Sequence, residues 1–236
     1  MLDELADLLL GSRCPGCGGA GLGLCAACRG SLARRPEPVL DAVALPDSLT
    51  VWAGGRHEGA LRNLITAHKD RGSWGLAGVL AGQLALAVPA VVQTGAGVGA
   101  VTGVVLVPVP SSPSAVRRRG YDHSLVLARG ASARLAGRPP VAPVLRRIAR
   151  TADQSGLGRR ERASNQRGTM RARAPAAGQR CAVLTDDICT TGASLAEAAR
   201  ALREAGWLVL GAAVVAQRTD LPKNSDGYHQ NRAGQR

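Results

Sequence analysis

The stretch from Val183 to Leu195, VLTDDICTTGASL, decides the fold predicted for this chain. It starts inside a short apolar run, Cys181–Leu184, which is typical of a buried strand, and it leads into the helical apolar spacing of Leu195–Ala205. The acids Asp186 and Asp187 are therefore expected at the exposed carboxyl end of a strand. Ligands of parallel sheets bind at that edge.

Small and hydroxyl-bearing residues follow the acidic pair, in the order Thr190, Thr191, Gly192, Ala193 and Ser194. At the start of a helix, exposed amide N–H groups and hydroxyls form a cradle for an anion. Two carboxylates just before such a cradle suit a sugar phosphate, because acids accept from ribose hydroxyls while amides hold the phosphate. An Asp helix cap with a polar first turn would explain one Asp and one Thr, but not the whole string.

The flanking segments extend this pattern into an α/β domain with parallel strands and crossover helices. Because 45% of the residues are hydrophobic and Phe is absent, the core must consist mainly of Ala, Val and Leu. Further elements are predicted as strands at Val51–Trp52, Val104–Val109 and Leu208–Ala216, a polar loop at Ser111–Asp122, and a helix with Leu125, Ala128 and Leu135 on one face.

No charged residue occurs from Gly72 to Val116, which raises the question of a membrane span. A spanning helix needs about 20 continuous apolar residues, and this segment is interrupted by Gly, Gln and Pro. Leu76–Val88 is predicted as a buried helix and Pro89–Gly103 as a loop, so no membrane span is expected. The N-terminus lacks the positive region of a secretory signal, and a cytoplasmic protein is predicted.

Two CxxC pairs near the N-terminus are separated by seven residues: Cys14 and Cys17, then Cys25 and Cys28. Four thiolates at this spacing can surround one tetrahedral Zn²⁺, which leaves no open position and indicates a structural role. Disulfides are the competing interpretation, but nothing marks the chain for export. We predict a zinc-binding knuckle over residues 1–35, an α/β domain over 36–220 and a disordered tail over 221–236.

The positive charge is concentrated in one part of the chain. There are 30 Lys and Arg against 17 Asp and Glu, a net charge of +13, and the 16 Arg and three acids between Ser111 and Arg180 account for all of it. Lys occurs only at Lys69 and Lys223, and the planar Arg fork suits phosphate oxygens. A composition rich in Ala, Gly and Arg explains part of the excess, but its concentration favours an anionic partner.

The 183–195 string resembles the phosphoribosyl pyrophosphate motif of type I phosphoribosyltransferases. From Cys14 to Ala216 the chain is similar to the ComF family of amidophosphoribosyltransferase-like competence proteins. The similarity rests on the knuckle, on LRNLITAHKDRG (61–72), on VPVPSSPSAVRRRGYDHSLVLA (107–128) and on RTADQSGLGRRERASNQRG (150–168). Asp122 and His123 stand where that family commonly has Asn-Gln.

The resemblance implies a type I phosphoribosyltransferase-like parallel sheet flanked by helices. It implies that Asp186 and Asp187 contact ribose and Mg²⁺, that Thr190–Ser194 hold the 5′-phosphate, and that the pyrophosphate loop has Arg117, Arg118 and Arg119 nearby. A flexible loop over the site would include Gln154, Arg160, Arg162 and Asn165. The histidines His57, His68 and His123 are expected on the surface or in helix packing.

Two functions follow as hypotheses. The first is a transferase that binds phosphoribosyl pyrophosphate, or a related nucleotide, with Mg²⁺ and passes phosphoribose to a nitrogen acceptor. The second is a non-catalytic competence-type protein in DNA uptake or recombination, whose partners would be single-stranded DNA or the proteins of those processes. A structural interaction module is a third, weaker interpretation.

Overall fold

The computed structural model describes residues 13–40, 42–71, 74–95, 102–148, 168–178 and 180–218. Its helices are α1 (Ala26–Gly30), α2 (Gly59–Arg71), α3 (Ala77–Gly95), α4 (Pro113–Arg119), α5 (His123–Ser132) and α6 (Ala193–Glu204), with a short 3-10 turn at Trp74–Leu76 before α3. Its strands are β1 (Glu37–Pro38), β2 (Val51–Ala53), β3 (Val104–Pro108), β4 (Leu145–Arg147), β5 (Met170–Ala172), β6 (Cys181–Cys189) and β7 (Leu208–Gln217).

Five strands form one sheet in the order β1-β2-β7-β6-β3. The pairs β2–β7, β7–β6 and β6–β3 are parallel, and only the short edge strand β1 is antiparallel to its neighbour. Because β3, β6 and β7 run in the same direction, their carboxyl ends lie along one edge. Strands β4 and β5 pair separately as an antiparallel hairpin. The predicted mixed α/β architecture with a mostly parallel sheet is confirmed.

Apolar residues cover both faces of the sheet, as a parallel sheet between helices requires. Within β6, Ala182 and Leu184 point to the face covered by α6, while Val183 points to the face covered by α2, α3 and α5. The neighbouring strand β3 alternates in the same way. No Phe is needed, since short side chains from closely packed elements fill both layers.

Helix α3 corrects the prediction of a loop from Pro89 onward. The helix continues through Pro89 to Gly95, and Val91 beyond the proline is fully buried. A proline inside a helix removes one hydrogen bond, but the apolar face formed by Leu80, Leu84 and Val91 packs against the sheet and outweighs that loss. Within the described residues α3 is the one helix long and apolar enough to cross a membrane.

Three other boundaries differ from the prediction. Strand β6 continues through the acidic pair to Cys189, because its pairing with β7 extends as far as Gln217. The predicted polar loop 111–122 contains the short helix α4, which begins at a Ser112 cap with Pro113 in its first turn. Helix α5 ends at Ser132, so Leu135 lies beyond it.

The cysteine-rich segment packs onto the α/β core. The side-chain amide of Asn63, on α2, donates to the Gly16 carbonyl at 2.7 Å, and Gln83, on α3, donates to the Ala33 carbonyl at 3.3 Å. Leu24 is partly buried against the same core layer as these helices. The predicted tail, 221–236, lies outside the described residues.

Candidate functional site

The acidic pair, Asp186 and Asp187, and the predicted phosphate loop, Thr190–Ser194, lie at the edge where the parallel strands end. Asp186 and Asp187 are the sixth and seventh of the nine residues of β6, and three residues separate the end of this strand at Cys189 from the start of α6 at Ala193. Strand β3 ends beside β6, with Pro108 opposite Thr185. Parallel pairing therefore brings the loop after β3 next to the acidic pair.

The phosphate loop encloses a small polar cavity of about 100 Å³. Liquid water occupies roughly 30 Å³ per molecule, so this space can take a single tetrahedral oxyanion. Asp186 contributes to the wall of the cavity, whereas Asp187 does not. The other lining residues are Ile188, Cys189, Thr190, Thr191, Gly192, Ala193, Ser194 and Leu195.

Gly192 gives the loop its shape. Its φ of +82° is in the left-handed region that favours glycine, and it forms the N-cap of α6 without a side-chain hydrogen bond. At the start of α6, where its partial positive charge is greatest, the Ala193 amide donates to the Thr191 hydroxyl at 3.4 Å. Leu45 packs directly over Gly192, and the Ala44 amide donates to the Thr191 carbonyl at 2.9 Å.

Asp187 is buried, 6% exposed, and fixed by two cationic or polar partners from distant parts of the chain. Lys69, near the end of α2, donates to its Oδ2 at 2.5 Å, and the Nε2 of His123, at the start of α5, contacts the same oxygen. Burial alone would raise the pKa of Asp187, but hydrogen bonding to His123 and the charge of Lys69 lower the pKa to about 2. Asp187 is ionised and paired inside the protein, which corrects the expectation of an exposed carboxylate.

The pKa of Asp186 is shifted in the opposite direction from that of Asp187. Burial of its carboxyl and the neighbouring negative charge of Asp187 raise the pKa of Asp186 to about 7. Its Oδ1 accepts from the Asp187 amide at 2.8 Å and from the Ser124 hydroxyl at 3.4 Å. Two adjacent acids thus have pKa values several units apart, a pattern found at functional sites.

His123 links Asp187 to the loop after β3. Arg119 contacts Nδ1 of the His123 ring at 3.1 Å, and Nε2 of the same ring faces Asp187. The Ser111 hydroxyl lies 2.8 Å from the same Nδ1 and 2.9 Å from Oδ1 of Asp122. A continuous polar chain therefore runs from Asp122 to Asp187.

The predicted arginines of the pyrophosphate loop do not all face the same way. Arg117 and Arg118 are exposed on α4, while Arg119 turns inward towards His123. The predicted flexible-loop residues Gln154, Arg160, Arg162 and Asn165 lie outside the described residues. The segments on either side of that loop pair with each other as β4 and β5.

The four knuckle cysteines come together, with their sulfur atoms all within 4.8 Å of one another. The Cys25 amide donates to the Cys14 sulfur at 3.4 Å, and burial is outweighed by such backbone hydrogen bonds so that the pKa of Cys14 is lowered to about 6. Burial and the neighbouring thiol groups raise the pKa of Cys28 to about 12. These four residues could hold a structural metal such as zinc, whose charge would favour four thiolates.

Sequence reasoning did not identify Lys69, Ser111 or His123 as site residues. His123 was expected in helix packing or on the surface, but it is buried within the acidic cluster. One usable signal existed for Lys69, because it is one of only two lysines in a chain with 28 arginines.

Comparison of the chain with protein-family models gave no match. A search of curated proteins gave no match either. Assignment of function therefore depends on the chain's own residues and their geometry.

Proposed function

We propose that this chain is a phosphoribosyltransferase-like protein of the ComF kind, which binds phosphoribosyl pyrophosphate at the β6–α6 turn and transfers phosphoribose to a nitrogen acceptor. One observation carries the proposal. A small anion-sized cavity at the start of helix α6 adjoins a carboxyl group, Asp186, and both lie beside the loop that follows the neighbouring parallel strand.

The phosphate loop suits the 5′-phosphate. The cavity is walled by small residues and by the hydroxyl-bearing Thr190, Thr191 and Ser194, and it lies where the α6 dipole favours a negative charge. Asp186 lines the same cavity, so its carboxyl oxygens can accept from the ribose hydroxyls of a ligand whose phosphate is held there. Because Asp187 is already paired internally, its predicted contact with ribose would have to compete with Lys69 and His123.

The pyrophosphate would lie towards the loop after β3. Arg117 and Arg118 are exposed in the last turn of α4, and Arg147 supports this loop by donating to the Pro110 carbonyl at 2.9 Å. Arginine at such positions stabilises the charge that develops on a departing pyrophosphate.

We further propose Zn²⁺ as the metal of the cysteine cluster. Four sulfur ligands fill a tetrahedral shell and leave no position for a substrate, so the ion would stabilise the fold of the knuckle. A cytoplasmic location keeps thiols reduced and suits this arrangement.

Mg²⁺, which the family resemblance implies, does not fit the acidic pair as the side chains are placed. Magnesium requires oxygen ligands in a near-octahedral shell, but the Asp187 oxygen is already in contact with Lys69 and His123. The ligand atoms within 4.8 Å of one another include the His123 imidazole nitrogen together with the two carboxylates. We therefore assign no Mg²⁺ held by the protein to this function.

Titration calorimetry with phosphoribosyl pyrophosphate tests the proposal. Thr191→Ala removes a hydroxyl from the phosphate loop, and loss of a hydrogen bond to a charged group should weaken binding roughly ten- to a hundredfold. Thr66→Ala is the matched control, because Thr66 is exposed on α2 and bonds only to its own helix, at the Arg62 carbonyl. Wild-type protein that takes up no ligand would refute the function, and equal affinities of the two variants would refute the position of the phosphate.

A second candidate function is binding of a nucleic-acid backbone. The observation in its favour is that most of the described arginines of the 111–180 stretch are exposed to solvent. Each phosphate contact releases counterions, so binding of single-stranded DNA by this surface would weaken by about one log unit per log unit of salt for each contact. A salt slope of several units with no response to phosphoribosyl pyrophosphate would select this function over the first.

A further inference from the structure

Asp187 has two partners that approach its carboxylate from different elements. The Lys69 ammonium comes from the end of α2, and the His123 ring comes from the start of α5. The side chain of Lys69 is 25% exposed, whereas those of Asp187 and His123 are each 8% exposed. Within the part of the chain that the structure describes, Lys69 is the one ammonium or guanidinium in direct contact with this buried carboxylate.

Without Lys69, the side chains of His123, Asp186 and Asp187 would make a metal site. Ligand atoms of His123, Asp186 and Asp187 lie within 4.8 Å of one another, a separation that one divalent ion could span. An ion held there would share the Asp187 oxygen with an ammonium 2.5 Å away, and the two cations would repel each other in a poorly solvated site. The cluster can accommodate either the ammonium or a divalent ion, but not both.

The residue type at position 69 supports this interpretation. The chain has 28 Arg and only two Lys, yet the residue that reaches Asp187 is a lysine. An ammonium is a compact point charge on a flexible stem, whereas a guanidinium is a broad planar fork. A compact charge matches a single carboxylate oxygen that already has His123 as a second partner.

We infer that Lys69 is the resident cation of the acidic pair, and that it replaces a protein-bound divalent ion at this site. The consequence for ligand binding, which rests on the proposed function, is that phosphoribosyl pyrophosphate binds to a site already neutralised by an ammonium. The ligand then needs no divalent ion held by the protein at this site. Lys69 acts through Asp187 and is a positioning residue.

Manganese binding followed by electron paramagnetic resonance tests the inference without any phosphoribosyl ligand. Zinc-loaded protein in buffer freed of other divalent ions is titrated with Mn²⁺. Wild-type protein should leave Mn²⁺ free in solution, and Lys69→Met should bind about one ion per chain because the carboxylate is released. Lys69→Met/Asp186→Asn should lose that ion again, and Lys69→Arg, which keeps the charge, should exclude it.

Two results overturn the inference. One is stoichiometric Mn²⁺ binding by wild-type protein that Asp186→Asn abolishes, and the other is a folded Lys69→Met variant, checked by circular dichroism, that binds no Mn²⁺. If Lys69→Met does not fold, the wild-type titration still decides, since it needs no variant at position 69.

Calorimetry with phosphoribosyl pyrophosphate separates this inference from the proposed function. Wild-type protein is titrated with the ligand in metal-free buffer and again with Mg²⁺. Binding in either buffer leaves the function standing, and an ion brought by the pyrophosphate of the ligand does not bear on an ion held by the protein. Absence of binding in both buffers refutes the function, while the Mn²⁺ titration still decides the role of Lys69.

Discussion

Replacing Gly192 with alanine tests the geometry of the phosphate loop most directly. The residue has φ of +82°, and a Cβ added to it would lie 2.4 Å from Cγ of Leu45 and 2.5 Å from its Cδ2. The left-handed conformation costs a residue with a side chain about 1–2 kcal/mol. Overlap with a packed neighbour adds about 1–3 kcal/mol, so Gly192→Ala should lower the free energy of unfolding by about 2–5 kcal/mol.

Gly206→Ala separates the two costs. Gly206 has φ of +90°, and a Cβ added there would have no atom within 4 Å. Gly206→Ala should therefore lower the free energy of unfolding only by the conformational cost of about 1–2 kcal/mol. Leu45→Ala in the Gly192→Ala background should recover the overlap cost, because the atoms that clash are removed. The coupling energy comes from a double-mutant cycle of urea denaturation curves.

The same variants report on function. If the loop holds the phosphate, Gly192→Ala should weaken binding of phosphoribosyl pyrophosphate far more than Gly206→Ala does. Equal destabilisation by the two glycine variants, together with no recovery from Leu45→Ala, would show that Leu45 does not pack over the loop and would refute this account of its shape.

Two further predictions concern residues outside the loop. Cys25→Ser should reduce bound zinc from one ion per chain to nearly none and open residues 13–35 to protease, as measured by metal analysis and limited proteolysis, and a wild-type preparation without zinc under reducing conditions would contradict it. Glu197→Gln should cost about 1–3 kcal/mol at pH 7 by urea denaturation, because burial would raise the pKa of Glu197 but hydrogen bonds from Arg200 and the Met170 amide lower it. A carboxyl whose pKa is lowered on folding stabilises the protein above its unfolded pKa and loses that effect as the pH falls. The cost of Glu197→Gln should therefore shrink towards pH 3. As a control, Glu204→Gln at an exposed position should change stability little at either pH.

The strands of the parallel sheet were predictable because parallel strands buried on both faces form short continuous apolar runs, whereas β1, β4 and β5 were not predicted. Val104–Val109 and Leu208–Ala216 were each placed to within one residue. The loop predicted from Pro89 was wrong, because the local rule that proline ends a helix does not include the tertiary packing of Val91. The far end of β6 was missed for a related reason, since pairing with β7 extends the strand through two acids that have low strand propensity.

The site was predictable only as far as it is local in sequence. The order of Asp186, Asp187 and the Thr190–Ser194 loop is visible in one short string. The partners of Asp187 are not, because Lys69 and His123 reach it from helices that only the fold brings together. Burial of a carboxylate without such partners would be very unfavourable, so an acid within a buried strand implies compensating groups that sequence spacing alone cannot locate.

The internal pairing divides the two acids into different roles. Asp187, whose pKa is lowered to about 2, stays ionised and is paired with Lys69 and His123. It does not line the cavity. Asp186 lines the cavity and has its pKa raised to about 7, partly because Asp187 beside it stays charged. An anion in the phosphate loop would favour the protonated form of Asp186, which can donate a hydrogen bond, while a ribose hydroxyl would favour the ionised form, which accepts one. Under the proposed function, the acid that would meet the ligand is therefore Asp186, and Asp187 with its two partners would set the charge that the ligand encounters.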